Sequence, residues 1–455
     1  MLPIVTPDQM RLIDTEAAES FDTLVQRAGA AVARHAVRML GGTYGRVVNV
    51  VVGKGNNGAD GRVAARVLTD RGVQVRVFEA HDCPAALPPA HLVIDAAYGT
   101  GFRGTWVPPE VGDTPVLAVD IVSGVDGLTG AAERHVWRAQ STVTFQALKP
   151  GLLFPPGSDH CGETHVVDIG LGAAVGEAAR AHLVQADDVV RWVPSREPNA
   201  HKWKAAVRVV AGSVGMTGAA ALAAHAAMRT GAGMVHLSAV GATVHDAPAE
   251  VVQRPFPTFL WARELLDSID RFHSLVIGPG LGRDDSTATE VRAAVLDAPV
   301  PVVIDGDGLF AMAWNADGAA ALLRRRTVPT VLTPHDGEYQ LLTGERPQPD
   351  RIAAARVLAA QTGCVVLLKG PATVVAHSDG NVLVSTAGDQ RLATAGSGDV
   401  LSGIIGALLA SGVEPFEAAA AGAWLHGTAA RRAPASGMLA SDIVGHLPAV
   451  LEELR

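Results

Sequence analysis

The sequence predicts an α/β protein with two domains, each built on a parallel sheet with helices on both faces. The chain has 455 residues, which is too long for one ordinary hydrophobic core and is typical of two or three domains. Short apolar runs such as Val47 to Val52 are typical of strands buried on both faces, and they alternate with helical patterns. Several of these runs end in glycine-rich segments, as expected where the strands of a doubly wound sheet meet a ligand.

The composition narrows the class of protein. A hydrophobic content of 48% with 18% charged residues is typical of a folded globular chain. The net charge of -9 argues against nucleic acid or an anionic membrane as a partner. Three cysteines, Cys83, Cys161 and Cys364, show no metal-binding or disulfide spacing. Because the first 20 residues lack a basic segment followed by an apolar core, and no run of 18 apolar residues follows, we expect a cytoplasmic enzyme.

The first half opens with helices and then a strand that leads into a glycine-rich segment. Apolar residues at helical spacing from Thr6 to Leu40 predict one or two amphipathic helices. The predicted strand at 47–52 runs into Gly53 to Gly61, and a helix is expected from Arg62 to Leu68. Strand, glycine-rich turn and helix form the layout that binds phosphate groups. Paired asparagines at the centre of this turn depart from the usual dinucleotide pattern, and their amides suit a ribose, an amide or a hard cation.

Two further strand ends repeat this arrangement. The strand ending at Ile94 is followed by Asp95 and a glycine-rich segment at 99–104, and the strand ending at Val119 is followed by Asp120 and a segment at 123–127. In an open parallel sheet, ligands bind beyond the carboxyl ends of the strands. Each aspartate alone could be a cap or a turn residue. Three such loops, each directly after a buried strand, predict a binding site.

Four segments of this half together resemble the NAD(P)H-hydrate epimerase domain, over about residues 1–175. They are NNGADG at 56–61, DAAYGTGFRG at 95–104, DIVSGVDG at 120–127 and TFQALKPG at 144–151. The resemblance implies a Rossmann-like three-layer domain that epimerises the hydroxyl-bearing carbon of a hydrated nicotinamide ring. Such a reaction needs a general acid or base, and Asp120 is our candidate.

The same resemblance implies the ligand contacts. It places a potassium ion on Asn57, Asp95 and Ser123. It places the substrate on Asn56, Asn57, Gly58, Ala59, Asp60, Gly99, Thr100, Gly101, Phe102, Arg103, Gly104, Thr105 and Asp120. Ala59 stands where the family usually has glycine, which would matter if the substrate were crowded or if the backbone needed a positive φ there.

A change of composition over residues 172–200 separates the two halves. Alanine and glycine give way to a proline-bearing stretch at 194–198, and we place the boundary near residue 180. Strands alternate with helices again beyond it. The predicted strand ends are followed by GPGLG at 278–282, DGDG at 305–308, TPHDGE at 333–338 and LKGPAT at 368–373.

One stretch of the second half carries the strongest chemical signal. TAGSGDVLSG at 394–403 leads into the apolar run Ile404 to Ala410, so that Gly396 to Asp399 should lie at a helix N-terminus. Free backbone N–H groups and the helix dipole bind anions there. A carboxylate beside a phosphate site is explained if Asp399 takes the proton of a hydroxyl that attacks the phosphate. For an isolated GSGD, a simple capping aspartate is the alternative.

The second half resembles the ADP- or ATP-dependent NAD(P)H-hydrate dehydratase, which has a ribokinase-like fold, over residues 183–455. The resemblance implies that Ala219, Gly280, His335 and Asp399 bind the hydrated cofactor. It places the adenine nucleotide, with Mg²⁺, on Lys369, Gly370, Pro371, Ala372, Thr373 and Gly398. Phosphorylation of the ring hydroxyl would turn a poor leaving group into a good one that the ring nitrogen can expel, with the Gly396 to Gly398 amides stabilising the transferred group.

The main hypothesis is therefore a bifunctional repair enzyme for hydrated NADH and NADPH, with ADP or ATP as co-substrate and with K⁺ and Mg²⁺ as ions. We expect a homo-oligomer without nucleic acid or membrane partners. One alternative is a ribokinase-like small-molecule kinase that acts on another hydroxyl. The other is a nucleotide-sensing module whose epimerase domain is inactive, for which Ala59 is the only support.

Overall fold

The computed structural model describes residues 1–313 and 318–455. The chain divides into a first unit, Leu2–Ala181, and a second unit that comprises His182–Arg455 together with Met1. Each unit contains a largely parallel sheet flanked by helices, which confirms the predicted α/β class. No helix in the described part of the chain has both the length and the apolar character needed to cross a bilayer.

The first unit contains a six-stranded parallel sheet in the order β3-β2-β4-β5-β6-β7. Its elements in chain order are β1 (Leu2–Ile4), α1 (Pro7–Glu16), α2 (Phe21–Leu40), β2 (Val47–Val52), α3 (Asn56–Asp70), β3 (Gln74–Glu79), β4 (Leu92–Ala96), β5 (Val116–Val119), β6 (Ser141–Phe145), α4 (Ser158–Cys161), β7 (Glu163–Val167) and α5 (Gly172–Ala178). The chain passes from β2 to β3 on one side and then returns to β4 on the other. The strand order therefore reverses between β2 and β4, where the loops diverge and leave a crevice.

The segment from Thr6 to Leu40 forms two helices, and each begins at a side-chain cap. Thr6 and Gln9 form a capping box at the start of α1, and Ser20 caps α2. The second helix ends at Gly41, which has a left-handed conformation. These caps fix α1 and α2 over the sheet, where both contribute residues to the core of the unit.

The prediction of a loop at 53–61 is wrong in part. Helix α3 begins at Asn56, directly after Gly55, instead of at Arg62. Glycine and asparagine have poor helix propensity, which is why the sequence favoured a turn there. Packing of α3 against α2, β2 and β4 outweighs that preference. The paired asparagines and Asp60 consequently lie in the first turns of a helix.

The second unit has a mixed sheet in the order β8-β17-β16-β15-β14-β13-β12-β9-β10-β11. Its elements are β8 (Ala181–Leu183), α6 (Ala186–Trp192), β9 (Ala206–Ser213), α7 (Thr217–Thr230), β10 (Met234–Val240), β11 (Val252–Gln253), α8 (Trp261–Leu266), β12 (Ser274–Ile277), α9 (Asp285–Asp297), β13 (Val302–Ile304), α10 (Asp307–Ala313), α11 (Gly318–Leu323), β14 (Thr330–Leu332), α12 (Asp336–Thr343), α13 (Arg351–Thr362), β15 (Val365–Leu368), β16 (Thr373–Ala376), β17 (Val382–Ser385), α14 (Ser397–Ala410), α15 (Pro415–Arg432) and α16 (Ala440–Glu453). Strands β9 to β15 pair in parallel, whereas β15, β16 and β17 pair antiparallel. The strand order reverses between β9 and β12, as it does at the crevice of the first unit.

Helix α14 lies in the centre of the second unit and is buried from Val400 to Ala410. Small residues allow this close packing. A Cβ atom on Gly403 would lie 2.1 Å from the backbone oxygen of Ala223 in α7. Because the body of α14 is fixed between α7 and the sheet, its N-terminal turn is held in a defined position at the carboxyl ends of the strands.

Candidate active sites

A cavity of about 1030 Å³ opens at the carboxyl ends of the strands in the first unit. It is lined by predicted site residues from the first turns of α3 and from the loops after β4 and β5: Asn56, Asn57, Asp60, Gly99, Thr100, Gly101, Phe102, Arg103 and Asp120. Gly58, Ala59, Gly104 and Thr105 are not among its lining residues. The structure thus brings most of the predicted substrate contacts together in one cavity.

Asp120 is held by a buried lysine. The Nζ atom of Lys149 donates to Oδ1 of Asp120 at 2.6 Å, and the Thr144 hydroxyl donates to the same oxygen at 3.0 Å. Lys149 also donates to the backbone oxygen of Phe145, and its side chain is almost fully buried. Asp120 has a φ of 67°, which is unusual for a residue other than glycine. The backbone turn after β5 and the ion pair together fix this carboxylate at the cavity wall.

Lys149 and Asp14 are site residues that the sequence analysis missed. Lys149 lies inside the quoted segment at 144–151, so a signal for it existed, but its role follows only from its contact with Asp120. Asp14 lies on α1, where the only pattern was helical spacing. Desolvation raises the pKa of Asp14 to about 6, although its side chain is still exposed; Lys149 opposes this shift and Asp120 adds to it.

Asp95 and Ser123 are in direct contact, and both are buried. The Ser123 hydroxyl donates to Oδ1 of Asp95 at 2.6 Å, and the Ser123 backbone N–H donates to Oδ2 at 2.8 Å. Burial raises the pKa of Asp95 to about 6, and these hydrogen bonds oppose the rise. The side-chain amide of Asn57 is buried too, but neither its oxygen nor its nitrogen has a hydrogen-bond partner among the described residues. A buried amide without partners destabilises the folded state unless a ligand or an ion binds it.

No group of three or more His, Cys, Asp or Glu residues within 1–313 and 318–455 is arranged to hold a metal ion. The predicted potassium site would use an amide oxygen, one carboxylate and a hydroxyl, so this finding does not test it. The free amide of Asn57 is the feature of this site that fits a hard cation.

Ala59 does not occupy a strained position. It lies within α3, its N–H donates to the Gly55 carbonyl, and it is not among the residues with positive φ. Gly58 is the position where a side chain cannot fit. A Cβ atom there would lie 1.9 Å from the backbone oxygen of Gly53, which belongs to the fixed turn after β2.

We expect Gly58→Ala to remove most epimerase activity and Ala59→Gly to leave it within about twofold. The first change must push α3 away from the turn after β2, whereas the second only adds backbone freedom and costs about 0.5–1 kcal/mol of stability. Epimerisation rates without nucleotide and thermal melting of both variants would measure this. Normal activity in Gly58→Ala, or a large gain in Ala59→Gly, would contradict the interpretation.

In the second unit, Asp305 joins four elements. Its Oδ1 accepts hydrogen bonds from Lys369 Nζ at 2.6 Å and from the Thr333 hydroxyl at 2.7 Å, and its Oδ2 accepts from the Ser402 hydroxyl at 2.7 Å. Asp305 is buried, which alone would raise its pKa, but Lys369 and these hydrogen bonds hold the pKa below its ordinary value. Because Ser402 belongs to α14, this network ties the predicted anion site to the ends of β13, β14 and β15.

Asp399 lies in the first turn of α14 and does not cap it. The helix begins after Gly396, which has a left-handed conformation, and no side chain caps its N-terminus. Burial raises the pKa of Asp399 to about 7; the carboxylate of Asp305 adds to this shift and Lys369 opposes it. The alternative of a simple capping aspartate is therefore not supported. A carboxyl group that has a pKa of about 7 and lies beside free helix N–H groups has the properties of a general base at an anion site.

The predicted nucleotide residues lie next to this carboxylate. Lys369 to Ala372 form the short connection between β15 and β16, and Thr373 is the first residue of β16. A Cβ atom on Gly398 would lie 3.2 Å from Lys369 Nζ, so the first turn of α14 directly approaches the lysine. Arg351 donates to the backbone oxygen of Lys369 at 2.7 Å and supports this connection from α13.

The predicted contacts to the hydrated cofactor occupy neighbouring loops. A Cβ atom on Gly280 would lie 3.0 Å from the Cβ of Ala219, so these two positions are adjacent. His335 caps α12: its Nδ1 accepts from the Gly337 and Glu338 N–H groups, and more than half of its side chain is exposed. Its ring is accordingly available to a ligand while its position is fixed by the cap.

Sequence reasoning assigned no role to Asp305, Thr333, Glu338 or Ser402. All four lie within quoted motifs, but a motif does not say which of its residues contact one another. Glu338 lies 3.8 Å from Lys369 Nζ and is buried. Its contribution to the charge of the site depends on this proximity to Lys369, which only the fold provides.

The two units define an α/β enzyme with two candidate reaction centres, one a cavity lined by carboxyl groups and the other a lysine and a carboxyl group at a helix N-terminus. A family described as YjeF-related protein N-terminus matches residues 22–85 and 78–151, and NAD(P)H-hydrate dehydratase matches residues 207–448. The bifunctional NAD(P)H-hydrate repair enzyme of Moorella thermoacetica is 35% identical, covering 99% of this chain and 97% of that protein. The one from Mycobacterium tuberculosis H37Rv is 38% identical over 87% of this chain and 86% of its own. The chain belongs to the family of bifunctional NAD(P)H-hydrate repair enzymes.

Solved structures agree with this assignment for the second unit. ADP/ATP-dependent NAD(P)H-hydrate dehydratase from Bacillus subtilis, co-crystallised with ATP and Mg²⁺, is 30% identical with a TM-score of 0.53, covering 60% of this chain and 98% of that chain. A ribokinase-like protein from Enterococcus faecalis, 22% identical with a TM-score of 0.53, supports the fold. The predictions of a Rossmann-like unit, a ribokinase-like unit and a bifunctional epimerase and dehydratase are confirmed. Neither the kinase alternative nor the sensing-module alternative is favoured. The individual site residues and the domain bounds stay predictions.

Proposed function

We propose that the first unit interconverts the R and S forms of hydrated NADH and NADPH, and that the second unit converts the S form to NAD(P)H with ADP or ATP. The observation that carries this proposal is Asp399, a carboxyl group with a pKa near 7 at the anion-binding end of α14. Lys369, whose Nζ would lie 3.2 Å from a Cβ atom on Gly398 in the same turn, supplies positive charge for phosphates. The expected homo-oligomer and the choice between ADP and ATP stay predictions.

In the dehydratase step, the Asp399 carboxylate takes the proton of the ring hydroxyl while the hydroxyl oxygen attacks the terminal phosphorus of the nucleotide. The bond to the nucleotide breaks, and AMP or ADP leaves. The ring nitrogen then expels phosphate, and loss of a proton from the adjacent carbon restores the ring double bond. The free N–H groups of the first turn of α14 stabilise charge on the transferred group.

Magnesium would accompany the nucleotide, as in the Bacillus subtilis enzyme crystallised with ATP and Mg²⁺. Mg²⁺ keeps several waters and needs only one or two carboxylates besides the phosphates. Glu338, buried beside Lys369, is the carboxylate we assign to it. When bound, the ion neutralises phosphate charge.

In the epimerase step, departure of the hydroxyl as water leaves an iminium that the ring nitrogen stabilises, and water returns to the opposite face. This sequence needs proton transfer at the hydroxyl oxygen. Asp120 is our candidate for this transfer because it lies at the cavity wall and is oriented by Lys149 and Thr144.

A mixture of R and S hydrates tests both activities at once. A chain with only the dehydratase would stop when the S form is exhausted, whereas a chain with both would restore all of the hydrate to NAD(P)H. Absorbance of the reduced nicotinamide ring would follow the reaction with ADP and, separately, with ATP. A plateau at the initial S fraction would contradict the epimerase assignment, and no conversion at all would contradict the dehydratase assignment.

The potassium site is a further part of the proposal. Asn57 contributes a buried amide without a protein partner, and Asp95 and Ser123 contribute a buried carboxylate and hydroxyl in mutual contact. One carboxylate among neutral oxygens suits a monovalent ion better than Mg²⁺, which requires compact octahedral geometry. The ion would join the first turn of α3, the end of β4 and the loop after β5, and balance Asp95 beside an anionic substrate.

We expect Asp95→Ala to weaken substrate binding and to remove any dependence of epimerisation on potassium. Asn57→Ala is a more specific companion variant, because the Asn57 amide makes no hydrogen bond with the part of the chain that the structure describes. The change should lower stability in potassium but not in a large organic cation. Epimerase assays and thermal melting in both salts would measure this, with anomalous diffraction to locate the ion. Equal behaviour of the wild type in the two salts, with no density peak at the three residues, would contradict the site.

A further inference from the structure

We propose that Asp60 is the catalytic acid of epimerisation: its carboxyl group gives a proton to the departing hydroxyl, while Asp120 serves as the carboxylate that receives one. This inference deepens the epimerase function proposed for the first unit and rests on it. It divides between two residues a role that the sequence assigned to Asp120 alone.

The carboxyl groups around the cavity differ in their hydrogen bonding. Asp120 accepts hydrogen bonds from Lys149 and Thr144, and Asp95 accepts them from Ser123 and Ala97. Of the other carboxyl groups that line the cavity, Asp8 pairs with Arg11 and Glu19 pairs with Arg27, whereas Asp14 is exposed to solvent. The Asp60 carboxyl lines the same cavity and is buried, yet no described side chain or backbone group donates to it. A buried carboxylate without donors is unstable, whereas a protonated carboxyl can donate its own hydrogen to a ligand.

Charged groups on neighbouring elements face Asp60. Asp120 follows β5, Asp14 lies on α1, and Lys149 follows β6. The pKa of Asp60 is raised to about 8: burial is the largest cause, the Asp120 and Asp14 carboxylates add to it in that order, and Lys149 opposes them. The positive end of the α3 dipole favours an anion, but its effect is smaller than that of burial. At neutral pH, Asp60 consequently carries a proton while Asp120 forms an ion pair.

Two groups with different proton occupancy fit a reversible exchange of the ring face that carries the hydroxyl. Asp60 gives its proton to the hydroxyl oxygen, the carbon–oxygen bond breaks, and water and an iminium result. Water then adds to the opposite face and gives its extra proton to Asp120. The product leaves the enzyme with Asp60 ionised and Asp120 protonated, which is the state needed for the reverse direction, and exchange with solvent restores the starting state. No oxidant, reductant or further reactant is required.

The test is the pH dependence of epimerisation with nucleotide left out, so that the second unit is idle. Rates without enzyme are subtracted at each pH. In the wild type, kcat should fall as pH rises through about 8, because the acid must be protonated to act. A potassium ion at Asn57, one turn before Asp60, would lower this midpoint, so the profile is measured in potassium and in a large organic cation.

Three variants decide between a proton donor and a structural residue. Asp60→Asn should lower kcat by at least about 100-fold with KM changed by less than about threefold, and should remove the alkaline fall. Asp60→Glu keeps an acid and should retain both partial activity and the alkaline fall. Asp70→Asn, an exposed change at the other end of α3, should behave as the wild type.

The inference is overturned if Asp60→Asn keeps kcat within about threefold of the wild type, or if its rate still falls above pH 8. Should Asp60→Asn fail to fold, the wild type and Asp60→Glu still decide, since a flat profile in both would overturn it. A wild type that dehydrates the S hydrate but never epimerises would overturn the proposed epimerase function, and this inference with it.

Discussion

Asp399→Asn is expected to abolish nucleotide-dependent dehydration of the S hydrate while leaving epimerisation intact. The change removes the base but keeps the first turn of α14, because Asp399 makes no capping hydrogen bond there. Loss of a general base costs about 100- to 10,000-fold in rate. The two activities are measured on one preparation, with S hydrate and ADP for the dehydratase and R hydrate without nucleotide for the epimerase. Equal loss of both would contradict two separate centres.

The pH dependence gives the same prediction a second measurement. In the wild type, dehydratase activity should rise as pH increases through about 7, since Asp399 must be ionised to accept a proton. Asp379→Asn is a suitable control, because Asp379 lies on the exposed turn between β16 and β17. A wild-type profile without a rise near neutral pH would contradict Asp399 as the base.

As pH rises towards 7, the contribution of Asp399 to the free energy of unfolding should fall while dehydratase activity rises. The folded state raises the pKa of Asp399 above that of the unfolded chain, so its ionisation destabilises the fold as pH rises from about 4 to about 7. Asp399→Asn removes that cost and should raise the melting temperature of the second unit at neutral pH more than at pH 4. A destabilised, inactive variant would instead indicate a structural residue.

The strands and their glycine-rich ends could be predicted because burial on both faces leaves a strong pattern. The run Val47 to Val52 is β2, and Val116 to Val119 is β5, with the same bounds as predicted. The start of α3 could not be predicted, because its first turns contain residues that disfavour helices and are fixed by tertiary packing. Local propensity therefore failed at the site itself, where function selects glycine and asparagine.

Contacts between residues that are distant in sequence could not be predicted either. Asp305 and Lys369 are 64 positions apart, and only the parallel register of β13, β14 and β15 brings them to 2.6 Å. The role proposed for Asp60 could not be predicted either, because it depends on the lack of hydrogen-bond donors to its carboxyl group among the described residues. A motif supplies residue types at fixed spacing, but the charge state of each depends on neighbours that only the fold provides.

Lys369→Met is expected to destabilise the second unit strongly. Asp305 is buried and would keep only the Thr333 and Ser402 hydroxyls as donors. Removing one partner of a buried pair costs about 3–5 kcal/mol, because the remaining charge is left uncompensated. The matched control is Lys204→Met, whose exposed ion pair with Glu197 is worth about 0–1 kcal/mol.

A pH series and a double variant separate this charge effect from lost packing. Without Lys369, burial raises the pKa of Asp305, so the protein can relieve the unpaired charge by taking up a proton, and the loss should be smaller at pH 5 than at pH 8. Lys369→Met with Asp305→Asn should regain much of the stability but none of the dehydratase activity, because the nucleotide would still lack its lysine. Chemical unfolding of the wild type, Lys369→Met, the double variant and the control Lys204→Met at both pH values measures this. If the single and double variants lose equal stability at every pH, Lys369 contributes packing and the Asp305 charge does not organise the site.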